Sequence, residues 1–205
     1  MRKLQNWAWL LLFGSLWGIN EVFVGDVLSQ NNVPRYSVIL AAMAFLILAV
    51  GRGVVNRPGS STVLGIFAAL FKLANAAPFY CHLLGIFMMG LIFDAFATWF
   101  MKEDKLRVFR SAAAGFMSAI GSNAAFALVI TYVINYKYWV AGGLPKVIDH
   151  IFVSGSLGAA AALILVPLGF WIGISGSWLS DRRPQWTYAG TMGGVVLLYA
   201  IARFL

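Results

Sequence analysis

Glu21, Asp26, Lys72, Asn75, Tyr80, Cys81 and His82 are polar side chains set within, or at the ends of, runs that are otherwise apolar. An ionised group at the middle of a membrane helix costs roughly 2.5–3.5 kcal/mol on insertion scales. Glu21 and Lys72 are therefore expected to face other helices or a wet cavity rather than acyl chains. Asn75 follows Lys72 by one helical turn, so the two side chains point the same way. Two kinds of chemistry fit this set. Glu21 and Lys72 can form a structural ion pair that ties one helix to another. They can also line a ligand site, in which Lys72 meets a carboxylate or phosphate, Glu21 a cationic or donor group, and Tyr80 stacks on a ring. Both hold together if a charged ligand displaces the pair. Asp26 is either solvated at its helix end or part of the same site. Asp94, alongside Gly90 and Ala97, reads as an interhelical hydrogen-bond anchor.

Other constellations are thinner. Glu21, Cys81, His82, Asp149 and His150 are possible metal ligands but show no ligand spacing. His82 and His150 are the chain's two histidines and could hold a haem axially if they faced each other. A lone cysteine excludes an intramolecular disulfide and a zinc site with several thiolates. Gly155-Ser156-Leu157-Gly158 has a serine between glycines, yet no histidine follows His150 to act as its base. With no nucleotide-binding glycine loop and no nucleophile–base pair, no catalytic constellation is legible, and the sequence requires no cofactor.

The elements that must position these residues are set by composition. The 205 residues are 61% hydrophobic and 11% charged, with a mean hydropathy of +0.83. Runs of roughly 18–25 apolar residues are long enough to cross about 30 Å of hydrocarbon as helix. The alternating segments of a barrel are absent from the pattern. The expected fold class is an all-α, polytopic membrane bundle of six to seven helices in a single domain, over residues of about 6–28, 36–55, 60–77, 79–101, 109–134, 150–176 and 186–204. Asn56-Arg57-Pro58-Gly59 and Pro78 break the pattern. The aromatic stretch from Asn135 to Asp149 reads as the longest connector, lying at the headgroup level, and Pro167 as a kink. The opening Met1-Arg2-Lys3 run is too long, and carries too many acids, for a cleaved signal, so it reads as the first helix.

The net charge of +8 is a topology signal rather than a nucleic-acid footprint, because the basic residues sit between spans. With the amino terminus in the cytoplasm, ten of the fifteen basic residues fall on the inner side. Arg35, Lys137, Lys146 and Arg203 fall outside, and Lys72 lies within a helix. The positive-inside rule thus predicts an inner-membrane protein with its amino terminus in. Glu21, Asp26, Lys72, Asn75, Tyr80, His82 and His150 then gather near the outer face.

Small residues mark close helix contacts: Gly14, Gly18 and Gly25 beside Glu21, Ser111 to Ala125 on the fifth run, and Gly155 to Ala162 on the sixth. A small, basic bundle of this kind, with compact loops and an outer polar cluster, resembles the substrate-capture S components of energy-coupling factor (ECF) vitamin transporters. The resemblance covers the layout of about Asn6 to Gly176, the seventh helix being additional. It implies a solute site near the outer face under a lid, here Ser29 to Arg35. It also implies docking of a Gly14/Gly18 or Ala41/Ala42 face onto a transmembrane coupling subunit with ATPases. The partners expected are the lipid bilayer, a small-molecule solute and that subunit. The alternative is an accessory structural, or haem- or metal-holding, subunit of a larger membrane complex.

Overall fold

The computed structural model describes residues 2–75, 80–101, 107–182 and 184–204, and side chains in all of these but 2, 75, 178–182, 184 and 204. The Pro78 turn, the charged connection at 102–106, Arg183 and the Asn75 side chain lie outside the described residues. Within them the chain is helical, with no strand. Helix α1 runs Arg2–Ile19, passes through a π turn at Asn20–Val24 and continues as Gly25–Gln30. Helices α2 (Tyr36–Val54), α3 (Ser60–Asn75) and α4 (Tyr80–Phe100) follow. Helix α5 comprises Arg107–Leu128 and a π turn at Val129–Val133. Helix α6 is Lys137–Ile148, α7 comprises a π turn at Asp149–Ser154 and Gly155–Arg182, and α8 is Pro184–Phe204.

Five segments are long and apolar enough to cross a bilayer: Lys3–Gln30, Tyr36–Val54, Tyr80–Phe100, Arg107–Val133 and Lys137–Ser177. Two of the expected spans are not among them. The apolar helix Ser60–Ala74 begins after Pro58-Gly59, and at about 1.5 Å per residue its described length falls below about 30 Å. Helix α8 carries Thr187, Gly190, Thr191, Gly193 and Gly194, which dilute its apolar content.

The stretch expected as a connector is itself helical. Helix α6 buries Trp139 and Val147, and it breaks only at Gly143, whose φ of 56° and ψ of −159° lie outside helical space. Glycine tolerates that geometry, and Pro145, lacking an N–H, suits the first turn of the resumed helix. A helix satisfies its own backbone where the surroundings are apolar. Pro167 does not interrupt α7.

Six helices close a ring in the order α1, α3, α4, α5, α7, α2, returning to α1, while α8 packs on the outside of α1. Trp17, Phe45, Leu48, Leu64 and Phe93 fill its centre without solvent exposure. Large apolar side chains such as Ile164, at 71% exposed, and Trp171, at 66%, cover the outside. That inversion suits a lipid-facing surface.

The tightest seam is between α2 and α7, where Gly53, Gly169 and Gly173 bring the two backbones together. A Cβ on Gly173 would overlap the Val50 carbonyl oxygen and stand 2.8 Å from the Gly53 Cα, both of them backbone. Gly173→Ala is therefore expected to destabilise by about 1–3 kcal/mol despite alanine's better helix propensity. Gly176→Ala, with nothing within 4 Å of its new methyl, serves as the control that keeps the propensity gain without the clash, in a denaturant titration of detergent-solubilised protein.

Of the two docking faces expected, the Gly14/Gly18 one does not survive. A Cβ on Gly14 would stand 2.5 Å from the Phe67 Cβ, and one on Gly18 would stand 2.5 Å from that of Phe71. These glycines seat α1 on α3, so they are not open to a coupling subunit. Gly115 likewise meets Ala162 and Val166, so the small-residue stripes of α5 and α7 serve packing within the chain.

Candidate functional site

One end of the ring opens into a cavity of about 590 Å³. It lies at the α1–α2 connection, where Arg35 stands in the left-handed region with φ 52°. Glu21, Asp26, Lys72 and His82 line it, as expected, and so do Cys81 and His150. Tyr80 does not. It is 84% exposed at the start of α4 and turned away from the wall, so the ring-stacking role expected of it is not available. The first turn of α4 directs His82 and Cys81 inward, and Tyr80, two residues before His82, therefore points elsewhere on the helix.

Lys72 and Glu21 meet. The ammonium donates to Glu21 Oε2 at 3.1 Å and to the Glu21 carbonyl oxygen at 3.2 Å. Side-chain exposure is 8% for Lys72 and 11% for Glu21, so the pair is shielded from water. Trp17, one turn earlier on α1, donates its indole N–H to Glu21 Oε1 at 3.2 Å. The π turn makes the carbonyl contact possible. In a regular α-helix the Glu21 carbonyl would accept from the Gly25 N–H, four residues on. Here the Gly25 N–H is directed at the carbonyls of Asn20 and Val22, and Lys72 takes the released oxygen. Such turns recur at functional sites in helices. Asn20, beside Glu21, is buried with neither side-chain polar atom partnered among the described residues.

A second polar contact crosses the rim. Arg35 Nη1 and Nη2 each donate to one Asp149 carboxylate oxygen at 3.1 Å, and Nη1 also reaches Ser154 Oγ at 3.1 Å. Ser154 lines the cavity, so the α1–α2 connection is tied to the start of α7 across its mouth. The hydrogen bonds to Asp149, and then its charge, raise the guanidinium pKa above its ordinary value. Both side chains are roughly half exposed, so water and salt screen the pair and it holds only weakly.

Aromatic packing closes another side. The His150 ring sits 5.0 Å from Trp139 and 5.4 Å from Phe126, centroid to centroid. His82 and His150 share the wall, and among the described residues no three His, Cys, Asp or Glu side chains gather as a metal cage. Two α5 residues on the wall, Ser122 and Asn123, donate to the Ala119 carbonyl of their own helix.

Asp94 lies in a separate buried network with Arg52. It is the interhelical anchor expected, near the far end of α2 from the cavity. Sequence reasoning missed three partnerships: Trp17 with Glu21, Arg35 with Asp149, and Arg52 with Asp94. The first has a local signal, since residues four apart on a helix are neighbours. The other two join distant segments and leave no local trace.

Compared with known proteins, the chain matches no family model, no curated protein and no solved structure.

Proposed function

We propose that this chain is a multi-pass membrane protein that binds a small solute in the cavity beside Glu21 and Lys72, and serves its capture or transport rather than bond-making chemistry. The cavity carries the reading. At about 590 Å³ it falls within the roughly 300–1,000 Å³ typical of small-molecule sites, and its wall combines apolar and aromatic surface with a few convergent polar groups. The bilayer is the inner membrane, the amino terminus is cytoplasmic, and the cavity opens outward. A ring of six helices with α8 outside it parallels the S-component layout of ECF transporters. With Gly14 and Gly18 buried, a coupling subunit with ATPases would have to use another face.

The Arg35 contact to Asp149 and Ser154 is the closure of this site. Its weakness suits a rim that must open. Arg35→Ala is expected to enlarge the open population by up to about fivefold, the scale of an exposed ion pair. Cys81, the chain's one cysteine, lines the cavity and reports on it. A membrane-impermeant maleimide added to intact cells is expected to label Cys81, faster by that factor in Arg35→Ala. High salt should narrow the difference by accelerating the wild type. Labelling only in inverted vesicles would reverse the orientation, and equal rates would remove the closure. A second reading, a haem-holding subunit, draws on His82 and His150 sharing the wall, and a Soret band in the purified protein would favour it.

A further inference from the structure

We infer that the solute is a small organic cation carrying a ring or other apolar body, an assignment that rests on the cavity reading above. With the histidines neutral, the ionised side chains on the wall are Glu21, Asp26 and Lys72, which leaves one net negative charge. The Lys72 ammonium already holds Glu21 through carboxylate and carbonyl. Of its three N–H groups, at most one remains for a ligand. Asp26 is different. It is exposed at the wall and has no hydrogen bond or ion pair among the described residues. The nearest competing cation by position, Arg35, is paired with Asp149. Lys146 donates to the Tyr138 carbonyl and rests over the Tyr138 ring, and neither Lys146 nor Arg203 lines the cavity.

Two further features point the same way. Asn123 uses its amide N–H on Ala119, which leaves the amide oxygen as an acceptor. Trp17, Tyr36 and Phe126 bring aromatic rings to the wall, and ring faces attract cations through their quadrupole. The expectation that Lys72 receives a ligand carboxylate is thus replaced. The ligand's positive group meets Asp26, and its apolar body lies against Phe126, Ile86 and Met89.

Matched probes test the charge. 2-Phenylethylamine, 3-phenylpropionate and 2-phenylethanol present a similar ring with positive, negative and no charge. Each is added to purified protein in detergent micelles while the rate of Cys81 labelling by a maleimide is followed. The amine is expected to slow labelling. Asp26→Asn should raise the concentration needed for half protection by about tenfold, the scale of one lost charge-assisted contact. Protection by the carboxylate in preference to the amine, or by none of the three, overturns the cation assignment. An unreactive Cys81 in the folded protein, with full labelling after denaturation, overturns the cavity reading itself.

Discussion

Asp94→Ala is expected to destabilise the bundle by about 3–5 kcal/mol, the cost of leaving a buried charge without its partner. Asp94 Oδ1 accepts from Arg52 Nη1 at 3.1 Å and from the Ser61 N–H at 2.9 Å, while Oδ2 accepts from the Gly59 N–H at 2.7 Å. It therefore neutralises Arg52 and caps the first turn of α3, where N–H groups have no intrahelical acceptor. Arg52 is only 3% exposed. It keeps Thr98 Oγ1 and Asn56 Oδ1, both at 2.9 Å, but these carry no compensating charge. Asp94→Asn should fall between wild type and alanine, since its oxygen can still accept while its NH₂ would confront the Gly59 N–H. The pair Arg52→Met with Asp94→Leu should recover most of the loss, because removing both charges removes the desolvation problem. Denaturant titration in mixed micelles measures all four proteins. An alanine variant within about 0.5 kcal/mol of wild type, the range of an unremarkable surface change, would contradict the role assigned here.

Lys72→Met is expected to destabilise by about 1.5–3 kcal/mol, the scale of a hydrogen bond to a charged group. The Glu21 carboxylate would retain only the Trp17 indole, and the Glu21 main-chain carbonyl would lose the donor that Lys72 supplies. Glu21→Gln should cost less, about 0.5–1.5 kcal/mol, because the amide oxygen can still accept from Lys72 or Trp17 and the main-chain contact persists. The double variant measures the coupling, since contacting residues are non-additive. The cavity offers a second readout with a definite sign. Removing the ammonium leaves two carboxylates on the wall, so protection of Cys81 by 2-phenylethylamine should strengthen in Lys72→Met. Weakened protection would mean that Lys72, rather than Asp26, engages the probe.

Most of the helices were legible because each is written locally. Apolar runs of membrane-spanning length, broken at Asn56-Arg57-Pro58-Gly59, give α2 and the start of α3 nearly residue by residue. α6 was missed because the aromatic residues of Asn135 to Asp149 read as a connector at the headgroup level. The structure confines the irregularity to Gly143 and buries Trp139 and Val147 on the rest. The π turns were invisible, since no residue type marks them. Their effect, an oxygen of Glu21 freed for Lys72, appears only once α3 stands beside α1.

The charges of Glu21 and Lys72, each too costly to leave in lipid, required by themselves that both look inward, and composition alone required helices. The partner of each group was a different matter. Arg35 with Asp149 and Arg52 with Asp94 join segments far apart in the chain. The turn that sends His82 to the cavity and Tyr80 away from it depends on how α4 is rotated. Periodicity tells which side chains share a face, but that rotation is set by glycine contacts and core volume summed over every neighbouring helix, a property of the packed bundle and of no single stretch of sequence.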